Sequence, residues 1–487
     1  MTEEVDEHIV DRYDLQKRLG KGAYGIVWKA HDKRTKETVA LKKIFDAFRN
    51  QTDSQRTFRE VMFLQEFGRH PNIIKLFNII KADNDRDIYL VFEYMEADLH
   101  NVIKKVTILK DIHKQYIMCQ LFRAIRYLHS GNVLHRDLKP SNVLLDADCR
   151  VKLADFGLAR SLSSLEDYPE GQNMPELTEY VATRWYRSPE ILLAAKRYTK
   201  GVDMWSLGCI LGEMLLGRAL FPGTSTINQI ERIMNSVPRP SRSEIESIGS
   251  HYAASVLEKM PMRARKPLEQ LVNSHDSNAL HLLQSLLIFA PHRRLTVEQC
   301  LVHPYVLQFH NPVDEPCLSI DVSLPLPDHI QLGIDDYRDK LYQMIHEKRA
   351  NVRKIQHERI VTNRVTTAPE RKESVDSRRR TSINEKSAPI AQAECSDTDY
   401  DTARSAAKNN GGVDTGGYVT IAEMRARERA QSADVRRANG TTNNSIEGSK
   451  RHKERRRSNE RPRIFSALRG NRMLAQNPNQ RIISGNV

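Results

Sequence analysis

Two short runs constrain this chain more than anything else in it. His135-Arg136-Asp137-Leu138-Lys139-Pro140-Ser141-Asn142 lies between apolar segments, and Asp155-Phe156-Gly157 follows after twelve intervening residues. A fold built around them must gather two carboxylates, an amide and an ammonium. Asp137 can orient and deprotonate a hydroxyl nucleophile. Asn142 and Asp155 offer the oxygen ligands that Mg²⁺ prefers, and Lys139 can neutralise charge on a phosphoryl group in transfer. The bland alternative is a polar loop that happens to be rich in Asp and Asn. Two upstream elements, in order and at matching spacing, argue against it.

The first is Gly20-Lys21-Gly22-Ala23-Tyr24-Gly25-Ile26-Val27. Its glycines let backbone fold tightly over phosphates and aim N–H groups at them. On its own the motif is equally well read as an ordinary turn. In a dinucleotide-binding fold the glycines would open a helix, whereas here Ile26 to Ala30 alternates like a strand. The second element is Val39-Ala40-Leu41-Lys42. A lysine inside an apolar strand must be paired or meet an anion. Glu60, central in a stretch of helical spacing from Gln55 to Phe67, is the candidate partner; a lone surface pair is the alternative.

Periodicity organises the rest. Tyr13 to Ile44 and Asp87 to Met95 read as strands, and Phe58, Val61 and Met62 share one face of the predicted helix between them. Beyond a linker at Tyr94–Asp98 the pattern turns helical, with helices expected over 113–131 (Gly131 as C-cap), 201–217 and 278–289. After a proline-rich stretch to Asp328, Tyr337, Leu341, Met344 and Ile345 form one stripe of a helix expected to dock back on the body. No internal repeat is visible.

Charge is unevenly distributed. Residues 351–487 carry 28 Lys+Arg against 16 Asp+Glu, while residues 1–350 carry 47 against 46. The three Trp all lie upstream, and the tail's only aromatics are Tyr400, Tyr418 and Phe465. A core is expected in the first part and disorder in the second. The acidic N-terminus lacks a signal-like apolar region, and no run is long enough to span a membrane. The six Cys are scattered without a C-x-x-C pair, which fits free thiols rather than a disulfide framework.

With these motifs in place, residues 13–305 resemble the eukaryotic protein kinases. Ser188-Pro189-Glu190 occupies the A-P-E position with Ser for Ala, Asp203 heads the large-lobe helix, and Arg294 fits the partner of Glu190. The resemblance implies an α+β bilobal fold. Its small β-rich lobe would span about 13–95 with one key helix, and its mainly α-helical large lobe about 96–305. An extension over 306–350 and a basic tail over 351–487 would follow. It implies ATP and Mg²⁺ as cofactors, the glycine-rich residues 20–27 over the phosphates, and Lys42 paired with Glu60. Asp137 and Lys139 would be catalytic, and Asn142 and Asp155 metal-binding. Leu19, Val27, Ala40, Phe92, Met95 and Leu144 would line the adenine pocket, with bulky Phe92 closing its back.

The segment before Glu190 narrows the resemblance. Thr178-Glu179-Tyr180, then Val181-Ala182-Thr183-Arg184-Trp185-Tyr186-Arg187, looks like the lip of the mitogen-activated protein kinases. Dual phosphorylation would add about −3 to −4 charge, enough to order a loop on which arginines converge. Arg59, Arg136 and Arg160 match the family's phosphothreonine cluster, and Arg184 and Arg187 its phosphotyrosine contacts; an unmodified surface T-E-Y is the alternative. Gly223 to Arg293 fits the family's insert. Where archetypal members carry an acidic D-x-x-D docking patch, this chain has Asn311-Pro312-Val313-Asp314. That loss and the long tail resemble the atypical branch. The resemblance implies self-phosphorylation, protein substrates with Pro after Ser or Thr, and residence in cytoplasm, cilia, basal bodies and cell junctions, with the nucleus open. The tail clusters Arg378-Arg379-Arg380-Thr381-Ser382 and Arg455-Arg456-Arg457-Ser458 suit a basophilic kinase, nuclear import or an anionic surface, or are simply solvated. Without interleaved aromatics, specific nucleic-acid readout is not expected. A cyclin-dependent kinase and a non-catalytic scaffold are the rival readings. The T-E-Y lip opposes the first, and the presence of Lys42, Asp137, Asn142 and Asp155 opposes the second.

Overall fold

Alternating strands and one buried helix build the small lobe. In the computed structural model, which describes residues 4–350 apart from 23–24, 106–107, 163–182, 196–197, 261–264, 273, 327–331 and 348–349, α1 (Glu7–Arg12) leads into β1 (Tyr13–Lys21) and β2 (Gly25–Asp32). Next come β3 (Thr38–Ile44), α2 (Gln51–Phe67), β4 (Leu76–Lys81) and β5 (Ile88–Glu93). The five strands form one antiparallel sheet in the order β1-β2-β3-β5-β4. Register pairs Val27 with Lys42 and Ala40 with Phe92. Because side chains alternate, Val27, Ala40, Lys42 and Phe92 share one face. The opposite face, with Val39, Leu41, Tyr89 and Val91, is buried under Ile9 of α1 together with Tyr13.

Lys43 points to that second face and is 1% exposed. Its ammonium donates to the Glu4 carbonyl at 2.8 Å and meets Asp87 at 3.2 Å and Asp6 at 3.6 Å. The segment before β1 therefore supplies part of the counter-charge of a buried cation. Sequence periodicity gave no hint of this, because the partners lie in a turn and an acidic leader.

Helix α2 starts four residues before the expected Gln55. The Asn50 side chain accepts from Asp53 N at 2.8 Å, so the cap rather than the first apolar residue decides where it begins. Phe58, Val61, Phe63, Leu64 and Phe67 are all buried, and Met62 is half-buried.

The large lobe holds β6 (Ala97–Asp98), α3 (Leu99–Ile103), α4 (Asp111–Ser130), β7 (Val133–Leu134), β8 (Val143–Leu145), β9 (Val151–Leu153) and β10 (Arg160–Ser161). Then follow α5 (Pro189–Leu192), α6 (Gly201–Leu216), α7 (Thr226–Met234), α8 (Arg242–Ser247), α9 (Ala253–Glu258), α10 (Leu268–Val272), α11 (Ser277–Leu286) and α12 (Val297–Leu301). Strands β6-β8-β9 and β10-β7 make two small sheets on the cleft side. Helix α6 is apolar on nearly every side and buried along most of its length, and one continuous core joins it to α4 and α11. No described helix is long and apolar enough to cross a membrane. Cys119, Cys149, Cys209, Cys300 and Cys317 are free thiols.

Gly131 is the C-cap of α4, as expected, and its φ of −91° lies outside the left-handed region. Glycine is needed there for space, since a Cβ would sit 2.6 Å from Leu318 Cδ1 and 3.0 Å from Val322 Cγ2. The chain beyond 310 is thus laid against the end of α4. Glu315, buried, takes Arg123 Nε at 3.1 Å and His310 Nδ1 at 2.9 Å. The last described helix, α13 (334–347), packs on the small lobe. Tyr337, Leu341 and Ile345 are buried, the Tyr337 ring lies 5.7 Å from Phe58, and Tyr342 lies 6.1 Å from Phe48. The basic tail from 351 lies outside the described residues.

Asp87→Ala should destabilise the protein by about 3 kcal/mol, because it leaves a buried ammonium short of its nearest carboxylate. Adding Lys43→Met should recover most of that loss. Urea unfolding of both variants tests the claim.

Candidate active site

The site grows from the sheet face that carries Lys42. Its Nζ lies 2.7 Å from Glu60 Oε1, on α2. Burial alone would lower the pKa of this ammonium, but the nearby Glu60 and Asp155 carboxylates outweigh it and push it up. Lys42 is therefore a permanent cation. The glycine-rich residues form the hairpin between β1 and β2, with Gly22 N donating to Gly25 O at 2.9 Å. They open no helix. At Gly25 a Cβ would meet Lys43 O at 2.1 Å, so only glycine fits beside β3. Ala23 and Tyr24 lie outside the described residues. Val27, Ala40 and Phe92 share the Lys42 face, Leu144 lies on β8, Met95 on the connection between the lobes, and Leu19 on β1, 40% exposed.

On the large lobe, one carboxylate shapes the loop after β7. Asp203 of α6 is fully buried. Its Oδ2 accepts from His135 N at 2.9 Å and lies 3.0 Å from His129 Nε2, while Oδ1 accepts from Arg136 N at 2.9 Å. These bonds hold Arg136 in the left-handed region, at φ 67°. Burial pushes the Asp203 carboxyl up, but the hydrogen bond and charge of His129 prevail and leave it below its ordinary value of 3.8.

The loop then delivers its chemistry. Asp137 Oδ2 accepts from Lys139 Nζ at 2.7 Å and from Asn142 Nδ2 at 3.2 Å, and Asn142 Nδ2 also donates to Asp137 O at 2.9 Å. With its nitrogen committed, the Asn142 amide keeps its oxygen as an acceptor. Ala154 N donates to Asn142 O at 2.9 Å, which ties the loop to the segment carrying Asp155. Phe156 is buried against Phe67 and His135. Asp155 itself is left-handed, at φ 67°. Burial would raise its carboxyl, yet Arg56, Lys42 and Lys139 together hold it down at about 2. An ionised carboxylate and an amide oxygen on neighbouring segments are the donor set of a hard divalent cation, so the residues present fit one.

The arginines singled out in the sequence lie around this centre. Arg59 Nη1 donates to Gly157 O at 3.1 Å and Arg160 Nη1 to Ala159 O at 2.8 Å. Arg136 and Arg187 line a small cavity with Asp137, Thr183 and Tyr186, and Arg136 stacks on Tyr198 at 4.9 Å. Arg184 lies in the 3₁₀ turn Arg184–Tyr186. Thr178 and Tyr180 lie outside the described residues. Below, Glu190 and Arg294 form a buried two-pronged ion pair at 2.7 and 2.8 Å. Arg56 escaped the sequence reading. One helical turn before Glu60, its Nη2 reaches Asp155 Oδ1 at 3.6 Å, and the i−4 spacing was the available signal.

Two lobes facing each other with these groups between them define a protein kinase. The protein kinase domain family matches residues 13–306, and the chain belongs to that family, among its mitogen-activated serine/threonine kinases. It is 68% identical to mitogen-activated protein kinase 15 of Caenorhabditis elegans over 97% of this chain and 98% of that protein. Identity to the Xenopus laevis protein of the same description is 63%, over 73% of this chain and 60% of that protein. Extracellular signal-regulated kinase 2 of Dictyostelium discoideum is 56% identical over 76% of this chain and 98% of that protein. Family membership brings ATP, a divalent metal ion and protein substrates.

Asp203→Asn should cost about 2–4 kcal/mol near neutral pH, since a buried hydrogen-bonded charge is lost. The folded carboxyl titrates below 3.8, so its stabilisation is complete above that value and disappears as pH falls through the folded value. The melting-temperature gap between wild type and variant should therefore stay constant at higher pH and narrow only in acid, below 3.8.

Proposed function

We propose that this kinase transfers the γ-phosphoryl group of Mg²⁺-ATP to Ser or Thr hydroxyls followed by Pro, and that it switches itself on by phosphorylating Thr178 and Tyr180. The observation that carries the reading is the 2.7 Å Lys42–Glu60 contact together with Asp137, Asn142 and Asp155 gathered on the opposite lobe. Lys42 holds the α- and β-phosphates. Asn142 and Asp155 would hold the metal, which would supply charge neutralisation at the phosphates. Asp137 orients the acceptor hydroxyl and takes its proton, and Lys139 offsets charge on the group in transfer.

The lip reading is supported by the arginines that precede and follow residues 163–182 in the chain, Arg59, Arg136 and Arg160 before and Arg184 and Arg187 after. Arg184 Nε is buried without a hydrogen-bond partner among the described residues, an unmet donor suited to an anion. Residues 181–187 would form the pocket that selects Pro. Self-activation is favoured by the weakened docking patch. Asn311 carries no charge, and Glu315 is buried and spent on Arg123 and His310, so Asp314 alone remains for a basic docking peptide. The excess of positive charge on residues 351–487 suits an anionic surface or scaffold. By family resemblance the protein works in cytoplasm, cilia, basal bodies and cell junctions, with the nucleus open.

Protein made in bacteria, where eukaryotic activators are missing, should carry phosphate on both Thr178 and Tyr180 by mass spectrometry, and an Asp137→Ala form should carry none. A blank lip on the active form would assign activation to another enzyme. Asp137→Ala should also lose about 10³-fold in kcat on a generic basic protein. A Ser-Pro peptide should be phosphorylated well above its Ser-Ala counterpart; equal rates would remove the proline rule.

A further inference from the structure

The connection between the lobes is gripped by a side chain that the mechanism does not use. Glu93 ends β5 at the mouth of that connection. Its Oε1 accepts from Lys75 N at 2.8 Å and lies 3.0 Å from Lys152 Nζ. Lys75 sits just before β4 in the small lobe, while Lys152 sits on β9 in the large lobe. The Lys75 ammonium is turned elsewhere, 5.8 Å from the Phe77 ring, so Lys152 is the cation that meets this carboxylate. Both groups are about one-fifth exposed, sheltered enough for the pair to hold a geometry.

The neighbours of Lys152 make the pair a joint between two of the routes by which the lobes touch. One route is the covalent connection that starts at Glu93. The other is hydrogen bonding of the segment before β4 to β9, where Ile74 N donates to Leu153 O at 2.9 Å and Leu153 N to Asn72 O at 2.8 Å. The Glu93 carboxylate binds the two routes to one strand, three residues from Asp155. Rotation of the small lobe about the connection must stretch the 3.0 Å contact.

We infer that Glu93 and Lys152 are positioning residues, a latch that sets the angle between the lobes and thereby the affinity for ATP. The triphosphate must reach Lys42 on one lobe and the metal-binding pair on the other at once. A preset angle lowers the ordering cost of binding, whereas the phosphoryl-transfer groups all stay in place once ATP is bound. Loss of the latch therefore appears in KM for ATP more than in kcat.

The inference rests on ATP lying between the lobes, and the experiment separates the two ideas. Full-length wild type, Lys152→Met, Lys152→Arg, Glu93→Gln and Lys42→Met are compared for kcat and KM for ATP on a generic basic protein, with ATP-analogue binding measured by fluorescence. Lys152→Met should raise KM and the analogue Kd about fivefold with kcat within about twofold. Glu93→Gln, which keeps an acceptor for Lys75 N–H, should do the same, and the double variant should be no worse than either single one. Lys152→Arg should restore wild-type values. Unchanged KM in both single variants, or a fall in kcat at unchanged KM, overturns the latch. If Lys42→Met too leaves both constants intact, the ATP site itself is misplaced.

Discussion

A buried carboxylate needs partners, and in this protein that need fixes the active centre. Asp203 lies fully buried in the first turn of the most apolar helix of the large lobe, where an unpaired charge would be prohibitive. Its partners are the His129 ring and two consecutive backbone N–H groups, those of His135 and Arg136. Satisfying them bends the chain into a conformation that a non-glycine residue adopts only under compulsion. The bend points Asp137 toward the cleft. Structural stability and chemical alignment are thus a single requirement, because a loop in another shape would leave Asp203 uncompensated.

The small lobe answers with a less rigid arrangement. Lys42 and Lys43 are adjacent on one strand and face opposite sides of the sheet. One meets Glu60 in the cleft, and the other is locked among Asp87, Asp6 and the Glu4 carbonyl on the outer face. The outer lock holds the strand while the inner lysine stays partly open toward its ligand. Helix α2 joins the halves: Phe67 packs on Phe156 of the large lobe, Arg56 and Glu60 reach the charged centre, and Phe58 is covered by α13. Movement of that helix would register at Asp155, at Lys42 and at the C-terminal extension together.

Much of this was legible in the residues. The strand character after Gly25, the lysine needing an anion, and the grouping of Asp137, Lys139, Asn142 and Asp155 follow from residue type and spacing, since chemistry of this kind tolerates few substitutes. The expected Glu190–Arg294 pair is present as well. Features that escaped depend on side chains meeting across long sequence distances. Nothing around Glu93 announces Lys152, and nothing around Glu4 announces Lys43. Gly131 caps its helix as the local pattern predicts, but the need for glycine there comes from the approach of Leu318 and Val322, nearly two hundred residues away. Glu315 is an interior acid for the same reason, because Arg123 and His310 converge on it from elements that the local pattern treats separately.

The strap from His310 to Val322 also bears on biogenesis. As the polypeptide leaves the ribosome, the catalytic motifs and all the helices of the large lobe emerge before Glu315 does. Until then Arg123 and Arg126 lack that counter-ion and the groove beside Gly131 is bare. A recombinant fragment cut at the edge of the family homology, near residue 306, would keep every reacting group while leaving Arg123 and Arg126 without that counter-ion and the space beside Gly131 unfilled.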